Sequence, residues 1–247
     1  MTDYLVFRLY APLASWGEAA VGETRPTATY PGRGAILGLL AAALGITRDD
    51  ETAQQALADS VRLAVKQRSP GTLLRDYHTA QVLPTRRGQR LQTRRDELAG
   101  SNRELNTILS SRDYRSDGLW TVAVWSTPQA SVTLDELEAA LRRPRFHLYL
   151  GRKSCPLAAP LAPARLATAA LREALDHDFT ALVPNERWAL GLDDEALYTW
   201  EGAPDALDGG DDGVESSEVW DRPLNRRRWQ FGPRTEYRRR APAGASR

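Results

Sequence analysis

Between Thr79 and Asp117 this chain stops supplying the residues from which a core is built, and that interruption constrains its fold more than any other feature. On either side the apolar pattern is regular. Tyr4 to Tyr10 reads as a buried strand. Ile36, Leu39, Leu40, Ala43 and Leu44 recur at helical spacing, with Gly45 as a natural C-cap. A short helix is expected near Ala53 to Ala58. Val61, Leu63 and Val65 alternate with Arg62, Ala64 and Lys66, the period of a strand with one face buried, and Thr72 to His78 reads as another strand. Beyond the interruption, Leu119 to Trp125 (LWTVAVW) is a strand. Thr133 and Glu136 form a capping box for a helix carrying Leu134, Leu137 and Leu141. Phe146 to Leu150 reads as the final strand. The order predicts an α+β fold of the ferredoxin-like βαββαβ kind that RNA-recognition domains share, over residues 1–160 with 79–117 inserted. Many functions use this fold, so the order alone assigns none.

After Cys155 the pattern weakens. Pro156 to Pro163 reads as a linker and Leu166 to Leu175 as a helix. Asp205 to Gly213 reads as loop or disorder, and the closing RRRAPAGASR as a frayed tail. Residues 161–247 are therefore expected to form a C-terminal extension with an acidic loop and a basic tail. At 42% hydrophobic the chain can bury a real core. The single cysteine excludes an intrachain disulfide and fits a reducing compartment. The longest apolar run, Ala35 to Leu44, is too short to span a bilayer, and the first residues lack the pattern of a signal peptide. The expectation is a soluble, cytoplasmic protein.

A net charge of +1 hides three blocks of strong sign. Pro84 to Arg115 holds eight arginines against four acids, a net of +4. Asp176 to Asp221 holds fourteen acids against Arg187, a net of −13. Arg222 to Arg247 holds nine arginines against Glu236, a net of +8. Lysine occurs only at Lys66 and Lys153. Arginine at this density fits either a GC-rich genome or phosphate recognition, since its planar fork pairs with phosphate and stacks on bases. Arg86, Arg87, Arg90, Arg94, Arg95 and Arg103 lie within eighteen residues of the insertion. A solvated charged segment is the plain reading of such a run. Its place inside a well-patterned core favours a protruding recognition arm, whose binding would weaken with salt.

Elsewhere the motifs are weak. Gly32, Gly34 and Gly38 miss the dinucleotide fingerprint by one residue and read as turn and packing glycines. The N-terminus of the helix they open still offers N–H groups to an RNA phosphate, with Arg25 and Arg33 nearby. One cysteine and three scattered histidines (His78, His147, His177) give no metal-ligand spacing, so no metal or cofactor is expected. Metal-free RNA cleavage needs only a placed base and acid, and Tyr77, His78 and Lys153 are the available parts. His78 taken alone is more often a locally bonded strand residue.

Six stretches in this order carry a resemblance: ASWG (Ala14 to Gly17), TRPT (Thr24 to Thr27), ILGLLAAALGI (Ile36 to Ile46), LRDYHT (Leu74 to Thr79), TVAVW (Thr121 to Trp125) and LYLGRKSCPL (Leu148 to Leu157). Together they resemble the CasD family of subunits of the type I-E CRISPR Cascade complex, in the RAMP superfamily, well over residues 4–160 and more loosely through DRP (Asp221 to Pro223) and the arginine-rich end. The resemblance implies an RNA-recognition-like palm with an inserted thumb, a non-catalytic subunit that grips the 5′ handle of the CRISPR RNA. The thumb would contact the adjacent backbone subunit, and the palm the large subunit that recognises target DNA. Relatives in another subtype cleave the repeat with Tyr, Lys and His residues, so a repeat endoribonuclease stays open as the alternative. The thumb, Val82 to Ser110, and the acidic stretch from Asp205 to Glu218 depart most from the family. On this reading the handle crosses two loops: that of Trp16, Arg25, Thr27 and Arg33, and that of Gly151 to Ser154 with Arg152 and Lys153. Trp16 either stacks on a base or packs within its turn. Arg75, Tyr77 and His78 mark the base of the thumb, and Arg86, Arg87, Arg90 and Arg94 its basic surface.

Overall fold

The computed structural model describes residues 1–18, 20, 22–84, 92–98, 105–225 and 230–244. Its elements in chain order are β1 (Thr2–Ala14), β2 (Thr24–Arg25), α1 (Arg33–Leu44), α2 (Glu51–Ser60), β3 (Val61–Ser69), β4 (Thr72–Val82), α3 (Arg94–Glu97), β5 (Asn106–Ser126), α4 (Leu134–Arg142), β6 (Ala164–Thr168), α5 (Leu171–Leu175), α6 (Glu186–Ala189), β7 (Glu195–Trp200), β8 (Glu215–Asn225) and β9 (Gln230–Pro242). The fold is mixed α and β, dominated by one nine-stranded sheet of order β6-β1-β5-β3-β7-β9-β8. All pairs along this path are antiparallel; β2 runs parallel to β5 at its far end.

β5 organises the sheet. Its C-terminal half, Leu119 to Ser126, lies between β1 and β3, with Leu5 opposite Val124 and Val65 opposite Val122. Alternation sends Trp120, Val122 and Val124 to one face, where they join Leu5, Phe7 and Leu9 of β1 and Leu37 and Leu40 of α1. Ala123 and Trp125 go to the other face, against Tyr4, Val6, Leu171, Leu175, Tyr198 and Trp200. The N-terminal half, Asn106 to Ser116, pairs with β4 in a ribbon that leaves the core. β3 and β4 follow one another along the same edge of β5, joined by Pro70 and Gly71. Gly71 sits at φ +67°, and a Cβ there would stand 2.4 Å from the Ser116 carbonyl oxygen, so glycine alone fits this joint.

α1 ends as its sequence suggests, with Gly45 in the left-handed region and its N–H bonded back into the last turn. The Thr133–Glu136 capping box opens α4. Four expectations need correction. Phe146 to Leu150 joins no strand beyond an isolated bridge from Tyr149 to Pro156. It docks on the end of α1, where the Arg145 and Phe146 N–H groups bond to the Ala43 and Ala42 carbonyls. The edge beside β1 is taken instead by β6, from the first part of the expected Leu166–Leu175 helix; only Leu171–Leu175 is helical. β3 is covered on both faces. Ala64 and Lys66 lie under the C-terminal extension, and burial pulls the Lys66 pKa down against the favourable pull of Asp176, whose carboxylate is 2.6 Å away. The first half of the expected tail is strand: Arg238 to Pro242 belong to β9. The stretch from Asp205 to Gly213 is a loop, as expected, anchored by fully buried Leu207 and by Asp208, which pairs with Arg172 and Arg239.

A buried ion network ties α1 to β7, β8 and β9. Arg33 donates to Glu201 at 2.6 Å and to the Ala58 and Val61 carbonyls. Arg234 grips Asp221 through two nitrogens and Glu236 at 2.7 Å. Burial opposes the Arg234 charge, but these carboxylates together with Glu201 hold its pKa above the ordinary arginine value. The Tyr30 hydroxyl donates to Glu236 at 2.7 Å; burial and that carboxylate push its pKa up. Glu201→Ala leaves Arg33 as a cation with no carboxylate in a site about nine-tenths buried, which costs about 3–5 kcal/mol. Urea unfolding should show that loss, and an apolar Arg33→Met/Glu201→Leu pair should recover more than half of it.

Candidate functional site

The loop that follows β1 and the loop that follows Leu150 meet beside the root of the β4–β5 ribbon. The first is closed on itself: the Trp16 N–H bonds to Thr27 Oγ1 at 2.8 Å, and the Ala28 N–H to the Trp16 carbonyl at 2.8 Å. The second touches it through backbone. The Ser15 N–H bonds to the Leu150 carbonyl at 3.0 Å, and Gly151, at φ +82°, lies so close that a Cβ would fall 1.7 Å from the Ser15 carbonyl oxygen. No other residue type fits at position 151 without separating the loops.

Arg152 fastens this junction. Its guanidinium donates to the Asp113 carbonyl at 3.0 Å and the Arg25 carbonyl at 3.1 Å, and lies 4.7 Å from the centre of the Tyr114 ring. One planar cation thereby joins both loops to β5. The Asp113 carboxylate receives a two-pronged contact from Arg75 on β4, Nε to Oδ1 at 2.8 Å and Nη2 to Oδ2 at 3.0 Å. These bonds hold its pKa below the usual carboxylate range against the opposing effect of burial. Arg115 adds a bond to the Ala28 carbonyl at 3.3 Å. The sequence reading passed over Asp113, Tyr114 and Arg115. Their signal was the register of LRDYHT against RDYR, which is visible only once β4 and β5 are paired.

The structure brings together Arg25, Thr27, Arg75, Arg152, Lys153 and Ser154. Arg25, Lys153 and Ser154 are exposed; Thr27 is buried as the acceptor that closes the first loop. Trp16 is corrected. It is 2% exposed, edge-on to Trp120 with ring centres 5.1 Å apart, so its face is not open to a base. Arg33 is also corrected, since its guanidinium belongs to the internal network. The N-terminus of α1, expected to offer N–H groups to a phosphate, is met by a carboxylate: Asp221 accepts the Arg33 N–H at 3.0 Å. Tyr77 and His78 are exposed neighbours on a strand, so they leave opposite faces of the ribbon. No hydrogen bond among the described residues joins His78 to Tyr77 or Lys153; the Asp76 carboxylate stands 3.9 Å from its Nδ1. Arg94 lies on α3 and pairs with Glu97. Arg86, Arg87, Arg90 and Arg103 lie outside the described residues. Among the described residues no cluster of His, Cys, Asp and Glu could hold a metal, and no helix is long and apolar enough to cross a membrane.

Chemically, the junction offers cations and backbone on a rigid frame, which suits contact with an anionic chain. The chain is similar to known proteins. Residues 4–237 match the family model described as CRISPR-associated protein (Cas_Cas5). Over 169 residues the chain is 43% identical to the CRISPR system Cascade subunit CasD of Escherichia coli (strain K12), covering 65% of this chain and 70% of that one. Its fold resembles a chain of a CRISPR RNA-guided surveillance complex, with TM-score 0.65, 24% identity and coverage of 97% and 90%. It also resembles a crystallised Cas protein, with TM-score 0.59, 25% identity and coverage of 98% and 95%.

The depressed Asp113 pKa has a sign. The folded value lies below the unfolded one, so the Arg75–Asp113 pair contributes fully above about pH 4 and loses its contribution as pH falls through the depressed value. Stability measured by urea titration from pH 7 down to about 2 should therefore fall less steeply in Asp113→Asn, over the acid limb, than in the parent.

Proposed function

The chain belongs to the CRISPR-associated Cas5 family, and on that premise we propose that it is a non-catalytic RNA-binding subunit of a CRISPR interference complex of the Cascade kind. It grips the 5′ handle of the CRISPR RNA and caps the backbone filament beside the large target-recognition subunit. The observation that carries this reading is the likeness to the Cascade subunit CasD over most of both chains. The geometry supplies a place for it. The handle passes over the junction of the two loops, against Arg25, Arg75, Arg152, Lys153 and Ser154, where Arg152 has already ordered the surface that RNA meets.

The architecture is read accordingly. β1, α1, β3, β5, α4 and β6 follow the βαββαβ order, and the spatial order β6-β1-β5-β3 is that of a ferredoxin-like palm. β6 then belongs to the palm, whose boundary moves from residue 160 to just past Thr168, and the C-terminal extension supplies β7, β8 and β9. The insertion at 79–117 is the thumb, rooted in the β4–β5 ribbon. Leu73, Leu74, Tyr77 and Ile108 are 45–67% exposed on that ribbon, which suits docking against a protein neighbour such as the backbone subunit. Target DNA meets the chain only through the assembled complex.

The test incubates the purified chain with labelled repeat-derived RNA in EDTA at several salt concentrations. Intact handle RNA should be retained, with log affinity falling linearly as log salt rises and no new fragments formed. A discrete cut in EDTA that vanishes in His78→Ala would overturn this function and make the chain a repeat endoribonuclease.

A further inference from the structure

We propose that the exposed segment from Arg142 to Lys153 is a track for single-stranded RNA, with Tyr149 as its stacking platform. This rests on the RNA-binding function above and assigns the path the strand takes beyond the loop junction. The twelve residues hold five cations and no carboxylate. Arg142 bonds to Glu138 at 2.8 Å and to the Pro163 carbonyl, so its charge is already partly met at the start of the track. Arg143, Arg145, His147 and Lys153 are exposed, and the rings of Phe146 and Tyr149 are 46% and 41% exposed between them.

The backbone here is fixed before any ligand arrives. The Arg145 and Phe146 N–H groups cap the end of α1, and the Leu150 N–H bonds to the Cys155 carbonyl at 2.8 Å. Leu150 is fully buried and Leu148 half-buried, so the inward side chains anchor the segment while His147 and Tyr149 face out. Phe146 to Leu150 runs from the α1 C-terminus to the Ser15 contact. One end of the track is therefore continuous with the junction held by Arg152. Cations alone would suit a duplex backbone or an acidic protein. Rings set between cations suit unstacked bases, whose faces stack while phosphates meet the guanidinium groups.

The experiment measures binding of a fluorescent 5′-handle RNA oligonucleotide to the full chain by anisotropy across salt, with thermal unfolding as a check on each variant. Tyr149→Ala should weaken binding about tenfold and Tyr149→Phe less than twofold, as expected for loss and retention of one stack. Arg143→Ala with Lys153→Ala should lower the salt slope by about 1.4, at about 0.7 per single-strand phosphate contact. Parental RNA affinity in Tyr149→Ala, beside a weakened Arg152→Ala, would overturn the track and leave the function standing. The same parental affinity joined to failed capture by the other subunits would assign the patch to a protein partner instead. Absence of RNA binding by the parent chain would sink the function, and the track with it.

Discussion

β5 is 21 residues long, several times the usual strand, and no core of this size can bury all of it. The rest of the molecule follows from how its two halves are satisfied. The C-terminal half is flanked by β1 and β3 and covered on both faces, so it is the centre of the sheet. The N-terminal half has its backbone paired by β4 on one edge and, at Ser111 and Arg112, by β2 on the other, while only Asp113 and Tyr114 of its side chains are buried. A ribbon of this kind projects because its hydrogen bonds are met without burial. Where the two halves join, loops from distant parts of the chain come within reach of one another, and that is where Arg152 works.

The charge blocks look different once folded. The acidic stretch and the arginine-rich end resemble surfaces awaiting a partner, yet part of each pairs with the other. Asp221 and Glu236 hold Arg234, Glu215 pairs with Arg238, and Asp208 pairs with Arg239 and Arg172. The strands that carry these blocks, β8 and β9, are neighbours, so opposite charges fall across from one another. Glu201 carries the same logic inward by joining Arg33 and Arg234. The buried members fix how β7, β8 and β9 sit against α1, since any misplacement would leave a charge buried and unpaired.

Periodicity and capping made the core legible. The Gly45 and Thr133 caps and the alternation through Val61 to Val65 and Leu119 to Trp125 are local signals, and local signals survive folding. What failed depends on distant partners. The alternating apolar pattern of Phe146 to Leu150 is real, but the edge of β1 was taken by Ala164–Thr168, and the segment packed on α1 instead. Trp16 and Arg33 belonged to the right loop, but their side chains turn inward, because Trp120 and Glu201 wait there. Nothing near them in sequence announces either partner. The loops at Trp16–Thr27 and Gly151–Ser154 meet as the expected fold order suggests, but not through a strand at Phe146–Leu150. Asp113, the acceptor that positions Arg75, needed the strand register to be seen.

Arginine abundance is thus a poor count of RNA contacts. Arg33, Arg152 and Arg234 act as internal ties, each bonding to several carbonyls or carboxylates at once in a geometry that the single ammonium of lysine cannot reproduce. Such groups release few counterions on binding, because their charge already faces protein. On the proposed function, the cations left to meet a phosphate chain are exposed ones such as Arg143 and Lys153, and Lys153 lies on the loop that Arg152 holds. Composition supplied both sets from one residue type; burial separates the ties from the contacts, and it is the ties that decide where the contacts stand.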